Sequence, residues 1–376
     1  MPVSQPVSRT AGRGDLTVRE PRGSVPVRER RLMTEPELIV RLEQELRACQ
    51  DLGLLNNGTG QPLTAVWQRH LREQPPRFLR ADGRMDVERL RNFRKLSIFV
   101  SDVPSFPPHR ISLRNLLGGG RRGSVRMLVE NLEVLKQHGY DDLLKQYPCS
   151  TVGNPYIFRS GGCQFTHRWL RDIYFLGLLN QVLGDRLNGE FVALDIGSSH
   201  GGFSSLLKRE YPAAHCVLVD FPEQLLLAYY FLGTCFPNAR FAGVAEIATL
   251  NTIPRSFLEA YDFIFIPCSY YARMEARSVD LVTNFVSFGE MTPSWFRAYV
   301  EGAPFVTATW FFTVNRVQSQ PTYDSNLTIL DYPVWNPEKR LHFGLCPALS
   351  HYYVRRNLFF TERRAFSPFF EYLGEI

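Results

Sequence analysis

The sequence predicts an α/β fold: an open, mostly parallel sheet with helices on both faces, preceded by a helical N-terminal region. Three observations predict it. From Phe191 onward, short apolar runs rich in β-branched residues alternate with helical patterns. The first two runs end in acids, Asp195 and Asp220, and the first is followed by a turn of small residues. Before Phe191 the apolar spacing is helical and broken by proline-rich joints.

The elements follow in order. Thr34–Gln50 offers a capping residue, a proline and acids in its first turn, then Leu38, Ile39, Leu42 and Leu46 on one face, which predicts an amphipathic helix. Val125–Gly139 is a second helical pattern, and joints lie at Gln74–Arg77 and Pro104–Pro108. Leu117–Ser124 (LGGGRRGS) lacks the Gly-Lys-Ser/Thr ending of a phosphate loop and reads as a flexible turn between helices. Val152–Gly162 reads as a turn-rich joint leading to a helix over Phe165–Leu183.

Then comes the alternation itself. Strands are expected at FVALDIG, His215–Phe221, YDFIFIPC, VDLVTNFV and Pro304–Val314, with helices at GGFSSLLKREY and EQLLLAYYFLGTCF between the first three. Such alternation implies right-handed crossovers, with ligands bound beyond the carboxyl ends of the strands. The expected organisation is a basic disordered tail at 1–33, a helical cap or substrate region at 34–163, and a ligand-binding α/β domain at 164–376.

Composition narrows the class. At 376 residues, with 44% hydrophobic, 21% charged and 13% aromatic residues, the chain resembles ordinary soluble globular proteins of about two domains. Seven arginines against Asp15, Glu20 and Glu29 place most of the net charge of +6 in Met1–Arg31. The remainder is close to neutral, which argues against a nucleic-acid partner. Seven scattered cysteines without a CxxC pair suit reduced thiols and a cytoplasmic setting. No apolar segment is long enough for stable membrane insertion.

The chemistry concentrates at Asp195–Gly202 (DIGSSHGG). Read as a dinucleotide fingerprint, the loop matches at Gly197 and Gly202, with Ser199 in the middle position. Read as the acid-x-Gly-x-Gly-x-Gly loop of S-adenosylmethionine enzymes, it matches at Asp195, Gly197 and Gly201, again with Ser199 substituted. Asp195 separates the two readings, because a carboxylate there would face pyrophosphate but would attract the cationic end of S-adenosylmethionine. Asp220, followed by Phe221, closes the second strand where a carboxylate accepts hydrogen bonds from ribose hydroxyls. A helix N-terminal charge is the alternative for Asp220.

On these residues the sequence resembles a family of sugar O-methyltransferases associated with surface-glycan gene clusters. The resemblance runs from about Val152 to Arg340 and rests on VGNPYIF, LDIGSSHGGFSSLL, LVDFPEQLLLAYYFLGTCFP, FIFIPC, NFVSFGEMTPSWFRAYV and FFTVNRV. It implies a Rossmann-like class I methyltransferase fold, S-adenosyl-L-methionine as cofactor and a saccharide hydroxyl as acceptor. The sequence departs from the family at Ser199, where glycine is usual, and at Asp195, where the longer glutamate is common.

In that frame Pro267 and Cys268 give apolar contact to adenine, Cys268 reading equally as a buried thiol. Asn284 and Glu290 follow the next strand and fall near the cleft. A sugar hydroxyl is a poor nucleophile, so a base must take its proton. His200 is the first candidate, since it sits in the loop itself; Glu290, His342 and His351 are the alternatives, and no spacing singles one of them out. His342 and His351 do not have metal-ligand spacing, and no metal is expected. Aromatic residues Tyr270, Tyr271, Trp295, Trp310, Tyr323 and Trp335 fall at or after strand ends, where rings stack on sugars or fill the core. Arg159, Arg316 and Arg340 would suit an acidic sugar.

The expected function is S-adenosylmethionine-dependent O-methyl transfer to a small-molecule or glycan acceptor, with the oligomeric state, homo-oligomer included, left open. Two other classes stand beside it. One is an NAD(P)-dependent oxidoreductase or epimerase, opposed by Asp195 and by the lack of a Tyr-x-x-x-Lys pair. The other is a non-catalytic scaffold that keeps the fold.

Overall fold

The structure is a computed structural model that describes residues 32–55, 63–73, 78–80, 82, 84–96, 119–349, 352–356, 361–365 and 367–376. The basic tail at 1–31, the joints at 74–77 and 104–108, and His351 lie outside the described residues. Met33–Ile376 forms one compact unit.

The helices are α1 (Glu35–Asp51), α2 (Ala65–Glu73), α3 (Val87–Arg91), α4 (Phe93–Leu96), α5 (Gly119–His138), α6 (Asp141–Gln146), α7 (His167–Leu183), α8 (Gly202–Glu210), α9 (Pro222–Cys235), α10 (Val244–Ile247), α11 (Arg255–Glu259), α12 (Pro293–Val300) and α13 (Ala303–Val306). The strands are β1 (Phe158–Ser160), β2 (Cys163–Phe165), β3 (Phe191–Ile196), β4 (Ala214–Asp220), β5 (Phe241–Ala242), β6 (Phe263–Pro267), β7 (Leu281–Phe285), β8 (Trp310–Arg316), β9 (Arg340–Leu345), β10 (Tyr352–Arg356), β11 (Thr361–Ala365) and β12 (Phe369–Glu375).

One eight-stranded sheet runs in the order β5-β6-β4-β3-β7-β8-β12-β9. The pairs from β5 to β8 are parallel, and β12 is antiparallel to both neighbours, β8 and β9. Alternate residues of each strand enter different cores. Phe191, Ala193, Cys216, Leu218, Phe263 and Phe265 pack on one face, while Val192, Leu194, Val217, Val219, Ile264 and Ile266 pack on the other. Burial on both faces is why these strands read as continuous apolar runs and why helices must cover each side. This is the open, mostly parallel, Rossmann-like α/β sheet that the alternation predicts, with an N-terminal helical region before it.

α1 forms where expected, with the Thr34 N–H and hydroxyl both donating to the Glu37 carboxylate at its start. It packs across α9, where Leu38 lies so near Gly233 that a β-carbon there would come within 2.6 Å of it. α9 is accordingly buried nearly all round between α1 and the sheet.

Three local expectations are corrected. Pro304–Val314 is not one strand: Gly302 and Pro304 start the short helix α13, and β8 begins only at Trp310. The joint at Val152–Gly162 holds β1 of the hairpin β1–β2, whose turn residues Gly161 and Gly162 both adopt positive φ. Gly119–Ser124 is the opening of α5 rather than a turn.

Candidate active site

The first strand places its acid and its loop together at the carboxyl edge. Asp195 on β3 lies opposite Thr283 of β7 in register, and its carboxylate accepts from Thr283 Oγ1 at 3.0 Å and from Ser204 Oγ of α8 at 3.2 Å. Burial raises Asp195 to about 7, although both hydroxyls favour the ionised form.

The loop needs left-handed backbone at Gly197 (φ 72°), Ser199 (φ 55°) and Gly201 (φ 75°). Glycine adopts this without a steric cost, whereas serine is strained by roughly 1 kcal/mol. What serine adds is a tether, because its Oγ accepts a 3.0 Å hydrogen bond from Arg168 Nη1 of α7. The other glycines answer to packing. A β-carbon on Gly197 would collide with Ser287, and one on Gly201 would meet Leu232 at 2.9 Å and Leu218 at 3.1 Å.

Asp220 joins loop to sheet end. One carboxylate oxygen accepts from Ser199 N and the other from Phe221 N, both at 2.7 Å. Burial raises this group to about 7, and those two backbone donors hold it down. Each oxygen has a second lone pair for a ligand hydroxyl, so the cap-like bond to Phe221 and a ligand role coexist.

These groups line one cavity of about 340 Å³. Asp195, Gly197, Ser199, His200, Asp220, Phe221, Cys268, Ser287 and Glu290 all contribute to its lining. Among the described residues of the lining, Ser198 Oγ, His200 Nδ1, Gln224 Oε1 and Trp295 Nε1 are buried without a hydrogen-bond partner. Buried polar groups are normally satisfied, so these atoms are available to hydrogen-bond a polar ligand in the cavity.

Glu290 is the titratable group best placed for proton transfer. It lies in the cavity wall after β7, and burial raises it to about 7, opposed by a hydrogen bond from Tyr323 and by Arg316, Arg168 and Arg171. A carboxyl near neutrality can hold either protonation state during turnover.

Other expected residues fall elsewhere. His200 lines the cavity, but it is 2% exposed and wedged against Phe231 and Phe93, with ring centroids at 4.9 and 5.9 Å. Burial, then Arg94, Arg168 and Arg171, hold it well below the usual histidine range, so it is a poor proton acceptor. His342 sits on the edge strand β9, hydrogen-bonded to Glu371 at 2.9 Å and away from the cavity lining. Asn284 is an internal brace: it donates to Ile196 O and Ser287 Oγ and accepts from Asn315, which uses its amide within the sheet. Pro267 is buried at the end of β6 and Gly201 under α9, and neither reaches the cavity wall. Tyr271 and Tyr270 are core, while Trp295 and Tyr323 do line the cavity.

Two contributions escaped sequence reasoning. Arg168 and Arg171, one turn apart on α7, present a cationic face to the cavity beside Asp172. Their spacing opposite the apolar stripe of Phe165–Leu183 was the available signal. From the N-terminal region, α2 brings Trp67 against Phe221, with ring centroids 5.3 Å apart, and His70 into the wall. No local pattern marks α2 as a wall element. Among the described residues no cluster of three or more His, Cys, Asp or Glu could hold a metal ion, no helix is long and apolar enough to cross a membrane, and all seven cysteines are free.

No family model matches the chain, and no curated protein matches it. Solved structures do. A Thermoplasma acidophilum protein is 12% identical over 55% of this chain and 88% of its own, with a TM-score of 0.33. A proposed RNA methyltransferase of Pyrococcus horikoshii is 15% identical over 58% and 86%, with a TM-score of 0.31. The bifunctional kinase-methyltransferase WbdD is 16% identical over 54% of this chain and 38% of its own, with a TM-score of 0.34. The fold class rests on the sheet order and strand directions of the chain itself.

Proposed function

We propose that the chain is an S-adenosylmethionine-dependent O-methyltransferase acting on a sugar or sugar-containing metabolite. The observation that carries the reading is the cavity lined together by two strand-end carboxylates, Asp195 and Asp220, by Gly197 and Ser199 of the loop with left-handed backbone, and by Glu290. The donor set fits the cofactor. Asp220 has lone pairs for ribose hydroxyls, Phe221 and Cys268 offer apolar surface to a flat base, and Asp195 gives negative charge toward a cationic amino-acid end.

Bound S-adenosylmethionine supplies a methyl group activated by a positively charged sulfur. The chain's own residues do the rest. The loop and Asp220 fix position, which supplies much of the rate when an attacking atom must be aligned. Glu290 takes the proton of the acceptor hydroxyl, and Tyr323 holds the carboxyl by a hydrogen bond. Trp295 and Tyr323 offer rings to the apolar face of a sugar. A cytoplasmic location fits the free thiols.

Two measurements test the reading. Calorimetric titration should give binding heat with S-adenosylmethionine or its demethylated product and none with NAD. Methyl-labelled S-adenosylmethionine with a sugar panel should label at least one acceptor. Heat with NAD alone would transfer the site to the dinucleotide class.

A further inference from the structure

We propose that two side chains read the edge of the cofactor's base. The Gln224 carboxamide oxygen accepts from the exocyclic amino group of adenine, and the Trp295 indole N–H donates to a ring nitrogen. The inference rests on the methyltransferase reading of the same cavity and names the residues that select the base.

Both side chains belong to elements at the cofactor end of the lining. Gln224 is the third residue of α9, after Pro222, and its backbone N–H donates to Phe221 O at 2.9 Å. It follows Asp220 and Phe221, the residues proposed for the ribose and for the face of the base, by about one helical turn. Trp295 comes from α12 and stacks on Tyr299, with ring centroids 5.5 Å apart and planes at 29°. Tyr299 lines the cavity too. Burial, then Cys268 and Asp220, raise its hydroxyl, which puts this aromatic pair within electrostatic reach of Asp220.

The two polar atoms are buried and open to a ligand. Gln224 is 4% exposed and Trp295 6%, and among the described residues neither Gln224 Oε1 nor Trp295 Nε1 has a hydrogen-bond partner. They differ in kind, since a carboxamide oxygen only accepts and an indole N–H only donates. A flat ligand that satisfies both must carry a donor beside an acceptor. Adenine does so, with its amino group next to ring nitrogens, and glutamine pairs with that same edge when proteins read DNA. The indole N–H lies at the ring edge, so its use leaves free the ring face offered to the acceptor sugar. The other two unpartnered atoms, Ser198 Oγ and His200 Nδ1, belong to the loop after β3 rather than to α9 or α12.

The experiment titrates the full chain calorimetrically with S-adenosylhomocysteine and with its analogue carrying purine in place of adenine, which lacks only the amino group. Wild type should bind the purine analogue about ten-fold or more weakly, because Gln224 Oε1 is then left without a donor. Gln224→Met removes the acceptor at similar volume. It should weaken S-adenosylhomocysteine by that same factor and bind the purine analogue as wild type does, which also shows that the variant is folded. Trp295→Phe should weaken both ligands by similar factors, since both keep the ring nitrogens. Equal affinity of wild type for the two ligands, a Gln224→Met variant that weakens both alike or neither, or a Trp295→Phe variant that binds both as wild type does would overturn the proposal. The two readings fail separately: no heat with S-adenosylhomocysteine defeats the methyltransferase reading, whereas heat without preference for adenine defeats the base-reading proposal alone.

Discussion

Gly197 faces Ser287 so closely that no side chain fits between them, because a β-carbon on the glycine would overlap the serine hydroxyl. The serine is itself fixed, its Oγ receiving Asn284 Nδ2 at 2.6 Å and lying 3.3 Å from Ile196 O. The loop after β3 is thus locked against the segment after β7, and the cavity lies where the two meet. Gly197→Ala should lose about 1–3 kcal/mol from strain at positive φ plus the overlap. Chemical denaturation checks this. Ser287→Gly combined with it should recover only the overlap part, leaving the φ penalty, as a double-mutant cycle would register.

Asp195 governs stability as well as charge. Its carboxyl is raised to about 7 in the folded protein, above its value in the unfolded chain, so between about pH 4 and 7 the folded state holds a proton that the unfolded state has lost. The stability contributed by this group is full below pH 4 and declines as pH rises through 7. Asp195→Asn should flatten that decline and leave the protein more stable than wild type at pH 8. The same change should weaken binding of a cationic ligand. Denaturation midpoints across pH, beside calorimetry, measure both, and a parallel decline in wild type and variant would refute the assignment.

For Asp220, which is also raised to about 7, ligand hydroxyls are accepted best by the ionised form. Affinity for S-adenosylhomocysteine should fall as pH drops from 8 to 6. Asp220→Asn should weaken binding by roughly ten-fold or more and remove most of this pH dependence. Calorimetry at the two pH values settles it.

Glu290→Gln should leave cofactor affinity unchanged and lower turnover by about 10²–10⁴-fold. Activity in the wild type should rise with pH through about 7, as the carboxyl ionises. Tyr323→Phe removes a donor that lowers Glu290, so its rising limb should move to higher pH. A limb that stays in place would show that another group titrates.

His200→Ala should behave differently. Removing a ring buried between Phe231 and Phe93 should cost about 2–4 kcal/mol of stability. The shape of the pH–rate profile should not change, because this imidazole stays neutral across the working range. Thermal unfolding and a pH–rate series test the two halves separately.

The α/β alternation, the strand-end acids Asp195 and Asp220, and the glycine loop were legible in the sequence because each is local: apolar periodicity, a carboxylate closing a run, small residues where the backbone turns left-handed. The α1 cap was legible for the same reason, since Thr34 and Glu37 are three residues apart. Pro304–Val314 misled because an apolar run holds no record of the point where Gly302 and Pro304 turn the backbone into a helix first.

The roles of the site residues were another matter, since they depend on neighbours far along the chain. As a base, His200 stands first in the sequence and Glu290 is an alternative; burial among Phe93, Phe231 and three arginines tells against the histidine, and a cavity wall shared with Tyr323 favours Glu290. Asn284 looked like a ligand contact until Ile196, Ser287 and Asn315 took up its amide. The sequence by itself determined the backbone scaffold and the two carboxylates, because these follow from short-range patterns. Only the tertiary structure decided which side chains share the cavity, because desolvation, and the union of Arg168 with Ser199 across 31 positions, exist only once the chain has closed on itself.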